Sequence, residues 1–172
     1  MVVHRLDNKG RPVRWNKRYG SVDSNDLSDM AMGSDGTIGL MGRAKYDGSS
    51  YGLHFVKVSV DGAILLSKVY HFLTISTGGW RLYPCPDGGY LMTGSGKHAP
   101  STRYKIAVFK VNNAGVLQWA FRMDDTIENV EKYNYIRDAA VLPNGDVVLA
   151  GYIDRHDSSL DDTFLIKLNS QG

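Results

Sequence analysis

The 172-residue chain has a single cysteine, Cys85, which excludes both an intrachain disulfide framework and a multi-cysteine metal site. An excess of one charge is also missing. Twenty Lys and Arg against eighteen Asp and Glu give a formal net charge of +2. The basic residues are scattered rather than gathered into a stripe, so there is no electrostatic footprint for nucleic acid. No run of about 18 apolar residues could span a bilayer, and no apolar core follows a basic leader as in a secretion signal. At 42% apolar and 22% charged residues, the composition is that of a globular chain long enough to bury one core. We expect a single domain over 1–172, with neither nucleic acid nor membrane as partner. Composition leaves the compartment unassigned.

Helical patterning is absent as well, since no segment keeps an apolar period of 3.6 over three turns. What is present is repetition, the first signal to seek because a fixed period decides the fold. "SDGTIGLMG", "PDGGYLMTG" and "PNGDVVLAG" each place a two-residue turn signal before a short apolar strand ending in Gly42, Gly94 or Gly151. Farther on come "HFVKVSVDG", "AVFKVNNAG" and "FLIKLNSQG", with Lys57, Lys110 and Lys167 in register; "VHRLDNKG" at the chain start is a fourth copy. The closing glycines Gly10, Gly62, Gly115 and Gly172 are 52, 53 and 57 residues apart. Another apolar strand follows each of the first three, with Trp15 and Trp119 equivalent and Leu66 between them in the series. The repeats run over about 11–62, 63–115 and 116–172.

Each period offers four strand candidates rich in Val, Ile, Leu, Phe and Tyr and punctuated by turn residues. Near-continuous apolar strands such as "VVLAG" suit blades buried on both faces. The expected fold is therefore an all-β propeller of four-stranded antiparallel blades, three per chain. The residues also resemble a family. "WNKRYGS…NDLSDMAMGSDGTIGLMG" and "GYIDRHDSSLDDTFLIKLNSQG" look like bacterial and archaeal β-propeller repeats that read roughly W-x-K-x-Y-G-G…S-D-G-G-Y-I-V-A-G-Y…D-x-x-L-I-K-L-D-x-x-G, and the resemblance covers essentially the whole chain. It implies the fold and no common catalytic motif, in a family found mainly in extracellular or surface proteins. "AGVLQW" is similar to the tryptophan docking element of quinoprotein propellers. The cofactor-binding carboxylates and paired cysteines of that family have no counterpart here, so no cofactor is expected.

Three blades cannot close a ring, because propellers have about four to eight. The strand from Val13 to Arg18 has no blade before it, while the last blade lacks a fourth strand. We therefore expect a homodimer in which exchange of the N-terminal strand closes a six-bladed ring, the alternative being a piece of a longer repeat protein.

The Asp-Gly and Asn-Gly turns are tight, whereas the other connections are long and differ between copies, which favours them for recognition. They carry the loop-face candidates Tyr46, Tyr51, His54, Tyr104, Tyr135 and His156, along with Trp80, His98, Tyr133 and Tyr152. Alignment of the inner strands puts Asp29, Arg81 and Asp138 at one position, preceded by Ser28, Trp80 and Arg137. These six are the candidates for the channel mouth, where the Asp and Arg residues would bind a polar ligand or, as favoured here, pair with one another. The histidines are too dispersed for a metal site. "DRHDSSLDD" lacks the spacing and closing Glu of a calcium loop, and Asp124, Asp125, Glu128 and Glu131 read as a solvated patch. No G-x-S-x-G, P-loop or dinucleotide fingerprint occurs in context. The expected function is a non-enzymatic binding module for a protein or glycan, the alternative being a propeller hydrolase or lyase acting on a polar or carbohydrate substrate in the channel.

Overall fold

In a computed structural model, the structure describes residues 1–20, 26–48, 50–72, 76–97, 104–123, 133–154 and 161–172. The described residues hold strands and no helix. In chain order these are β1 (Val2–Leu6), β2 (Pro12–Arg18), β3 (Asp26–Met32), β4 (Ile38–Lys45), β5 (Tyr51–Val58), β6 (Ile64–Tyr70), β7 (Ser76–Pro84), β8 (Tyr90–Lys97), β9 (Lys105–Val111), β10 (Leu117–Arg122), β11 (Tyr133–Val141), β12 (Val147–Asp154) and β13 (Asp162–Leu168). They form a two-stranded pair β1-β2, two four-stranded antiparallel meanders β3-β4-β5-β6 and β7-β8-β9-β10, and a three-stranded sheet β11-β12-β13. A single parallel bridge, Tyr51 to Ser76, touches the two meanders together. The expected all-β class is what the chain adopts.

The turns follow from the Asp-Gly and Asn-Gly signals. Gly36, Gly88 and Gly145 all have positive φ, and their amides bond back to the carbonyls of Gly33, Cys85 and Leu142. A β-branched or bulky residue would be strained in this left-handed region. Across each first hairpin, the third-strand lysine reaches the turn. Lys57 meets Asp35 at 2.8 Å, Lys110 meets Asp87 at 2.6 Å and Lys167 meets Asp146 at 2.9 Å. Lys57 also bonds the side chain of Asn113, in the turn of the next sheet.

Apolar clusters fill the gaps between successive sheets. Met1 and Tyr19 pack with Leu40, Val56 and Val58. Met41, Leu53 and Phe55 pack with Leu82, Tyr90, Met92 and Phe109. Leu91, Ile106 and Val108 pack with Ile136, Val147, Leu149 and Leu168. Strands β4, β5, β8 and β9 thus feed alternate side chains into two clusters, which is why their sequences are apolar almost without interruption. At the outer edge, a fourth strand caps the turn of the next sheet: Tyr70 donates its phenol to the Gly115 carbonyl at 2.7 Å, and Trp119 donates its indole N–H to Ser170 at 2.9 Å. Leu66 and Trp119 occupy the space where a side chain on Gly115 or Gly172 would go. The side chain of Trp15 lies outside the described residues.

One expectation meets a difference. The N-terminal strand β2 has a partner within its own chain, pairing with β1 from Val2↔Arg18 to Leu6↔Pro12. An exchange that puts another strand in the place of β1 gives up that ladder. Among the described residues β1 and β13 each pair on one side only, and Leu165 on β13 is 77% exposed.

Candidate functional site

The three first strands share one irregularity. Register slips between Leu27 and Asp29 in β3, between Gly79 and Arg81 in β7, and between Ile136 and Asp138 in β11. The skipped residues are Ser28, Trp80 and Arg137. A bulge leaves its extra residue unpaired and re-aims the side chain. The partner strand explains why the bulge is tolerated: a Cβ on Gly42, Gly94 or Gly151 would run into the carbonyl oxygen of Asp26, Gly78 or Tyr135. Only glycine leaves room for the displaced carbonyl.

Two cavities open beside these bulges. One, of about 510 Å³, is lined by Ser28, Gly79, Trp80, Arg81, Ile136 and Arg137. The other, of about 310 Å³, is lined by Arg43, Gly78, Trp80, Ser95, Tyr104 and Tyr135. Trp80, 37% exposed, walls both. Its ring lies 5.8 Å from that of Tyr135, which stacks on Tyr152 at 5.0 Å; the Arg137 guanidinium sits over Tyr152 at 4.7 Å. The result is a row of aromatic rings ending in a cation. Lys97 lies 4.7 Å from the Tyr104 ring.

The expected mutual pairing of the Asp and Arg residues is not what the structure holds. Asp29 accepts from the amides of Met30 and Leu82, each at 2.9 Å. Asp138 accepts from the Tyr83 phenol at 2.7 Å and the Ala139 amide at 2.9 Å. These bonds, with the charge of Arg81 adding to them, hold the Asp138 carboxyl below its ordinary range. Burial, then the Asp138 bond, pushes the Tyr83 phenol up to about 12. The two carboxylates are thereby tied to backbone and a neighbouring sheet. Among the described residues, neither lines the cavities of the site.

The loop-face candidates separate. Tyr104 and Tyr135 join the cavity walls. Tyr51 begins β5 and holds the Arg43 guanidinium 4.5 Å above its ring, while Arg43 also bonds Asp26 at 2.9 Å. Tyr46 stacks flat on His71 at 3.8 Å, which commits it to local packing. His54 is a correction. It lies within β5 rather than in a loop, buried, with Nε2 2.9 Å from Ser67 Oγ, and burial followed by the amino-terminal charge lowers its pKa. His156, like His98 and the acidic loop from Asp124 to Glu131, lies outside the described residues. Sequence reasoning left Arg43 out of the site and Tyr152 out of its core. Both follow the glycine that faces a bulge, as does Ser95, and that shared position was the available signal.

No family model matches the chain, and no curated protein matches it. Among solved structures, the chain is similar to a protein of unknown function from Bacteroides caccae. The match has 14% identity and a TM-score of 0.49, covering 98% of this chain and 54% of that one. The chain therefore spans about half the length of that structure.

Proposed function

We propose that the chain is part of a β-propeller and works as a non-enzymatic binding module, engaging a glycan or a protein through the face that carries Trp80, Tyr135 and Tyr152. The observation that supports this is the aromatic row ending in Arg137, set between two cavities on rigid strands. An exposed indole backed by half-buried tyrosines suits a sugar, whose C–H face needs a flat apolar surface beside polar groups. A glycan is therefore favoured over a protein. Hydrolase or lyase chemistry in the channel would require a carboxylate pair facing the substrate, whereas Asp29 takes an amide on each oxygen, Asp138 Oδ1 takes a phenol and an amide, and neither residue lines the two cavities among the described residues.

Antiparallel meanders packed in succession through apolar clusters, each capping the turn of the next, fit propeller blades. In this reading a second copy closes the ring: β13 and β1 hold the same third-strand position, so β13 of one copy displaces β1 from β2 of the other. Light scattering on the chain would then give a mass near twice 19.0 kDa; a monomer at all concentrations sinks the closure while leaving the binding face intact.

Affinity electrophoresis through gels containing soluble polysaccharides tests the function directly. Retention in at least one gel, weakened by Trp80→Ala and without release of reducing ends, is the expected result. Free migration in every gel, or steady accumulation of reducing ends, overturns the reading.

A further inference from the structure

The larger cavity has a charge that its shape alone would not suggest. Among the described residues its walls carry two guanidiniums, Arg81 and Arg137, and no carboxylate. The acidic residues at the equivalent strand positions are bonded elsewhere, Asp138 to Tyr83 and Ala139, and Asp29 to Met30 and Leu82, although the charge of Arg81 still reaches Asp138. Among the described residues no carboxylate lies within ion-pair distance of either guanidinium. Arg137 is also held in place. Its guanidinium lies on the face of Tyr152, itself stacked on Tyr135, so little freedom is lost when its N–H fork takes up a ligand.

Resting on the glycan-binding reading above, we propose that this cavity takes an acidic saccharide, with a sugar carboxylate held by Arg81 and Arg137 and the pyranose C–H face on Trp80. A uronic acid presents both features on one ring, and the Ser28 hydroxyl stands at the same cavity for a ring hydroxyl. A neutral sugar would cover the indole but leave two cations partly desolvated without an acceptor, which costs free energy. An acidic peptide would supply the carboxylate and no flat ring face for the indole. The planar guanidinium fork matches a carboxylate in two parallel hydrogen bonds, which a lysine could not reproduce.

The test is calorimetric titration of the full chain at physiological salt with four probes: trigalacturonate, its methyl ester, neutral cellotriose and a Glu-rich peptide. We expect trigalacturonate to bind, its ester and cellotriose to bind about tenfold or more weakly, and Arg81→Gln and Arg137→Gln each to bring the acid down to the ester's level. Comparison of acid with ester needs no variant, so a variant that fails to fold does not blunt the test. Equal binding of acid, ester and cellotriose overturns the acidic specificity but leaves a glycan module standing. Binding of the peptide alone, lost in both Arg variants, replaces the saccharide with an acidic protein segment. Silence from all four probes removes both this assignment and the glycan reading on which it rests.

Discussion

Tyr83 in β7 donates its phenol to Asp138 in β11 at 2.7 Å, and the same phenol oxygen accepts from the Ala139 amide at 3.0 Å. The contact crosses from the second meander to the three-stranded sheet, so it is a tie between sheets rather than within one. Tyr83→Phe removes both bonds but leaves the Ala139 amide its second acceptor, Asp138 Oδ1, at 2.9 Å. A loss of about 1 kcal/mol in urea unfolding is expected, modest because the carboxylate end faces solvent. Asp138 is depressed in the folded state, so its contribution is present above about pH 4 and fades as pH falls through the folded value. The wild-type advantage over Tyr83→Phe should narrow correspondingly in acid. An unchanged gap down to pH 3 would show that the phenol packs without being an electrostatic partner.

Much of the strand order was readable because both of its signals are local. Asp35-Gly36, Asp87-Gly88 and Asn144-Gly145 fix turns through positive φ at glycine, and the apolar runs between them have nowhere to go but into two sheet gaps. The site was half legible for the same reason. Ser28, Trp80 and Arg137 were found by alignment, yet alignment cannot say that they are bulge residues, since a bulge is a property of two paired strands. The mutual pairing expected of Asp29, Arg81 and Asp138 failed on distance: sequence places three charges at one level, but a backbone amide or a phenol closer by takes the carboxylate first. His54 was misplaced because the end of a variable loop and the start of a strand look alike in sequence, and strand boundaries are set by pairing with Gly42 and Val69.

The bulge account makes a matched pair of substitutions informative. Gly94 pairs with Gly79 and Gly78 with Ser95 across β7 and β8, but a Cβ on Gly94 would strike the Gly78 carbonyl, whereas a Cβ on Gly78 meets nothing within 4 Å. Gly94→Ala should therefore cost about 2 kcal/mol or more, as overpacking against backbone does. Gly78→Ala should be neutral or stabilising by a few tenths of a kcal/mol to about 1 kcal/mol, through the unfolded chain's lost freedom. The fluorescence of Trp80, the residue the bulge re-aims, should shift in Gly94→Ala alone. Equal stability of the two variants would mean that the strand relaxes around a side chain at 94 and that the bulge does not depend on glycine.

The buried histidine gives a pH dependence whose sign can be worked out. His54 is 5% exposed, Nε2 is bonded to Ser67 and Nδ1 has no partner among the described residues. Protonation would create a second N–H in a site that offers one acceptor, and burial already disfavours the charge. The folded pKa is therefore lowered, first by that burial and then by the charge of the amino terminus. The unfolded group titrates near its ordinary value of about 6.5. Above that value both states are neutral and the histidine's contribution is fully present. Below it the unfolded chain binds a proton that the folded chain refuses, so stability falls with pH until the folded group is itself protonated. The slope approaches about 1.4 kcal/mol per pH unit at most. His54→Gln can keep a hydrogen bond to Ser67 and cannot titrate. Urea midpoints measured from pH 8 to pH 5, a range that stays above most carboxylate titrations, should diverge below about pH 6.5, with the wild type losing more than the variant. Parallel curves would place the imidazole in contact with water or with an acceptor for its second nitrogen, and the buried neutral assignment would fall.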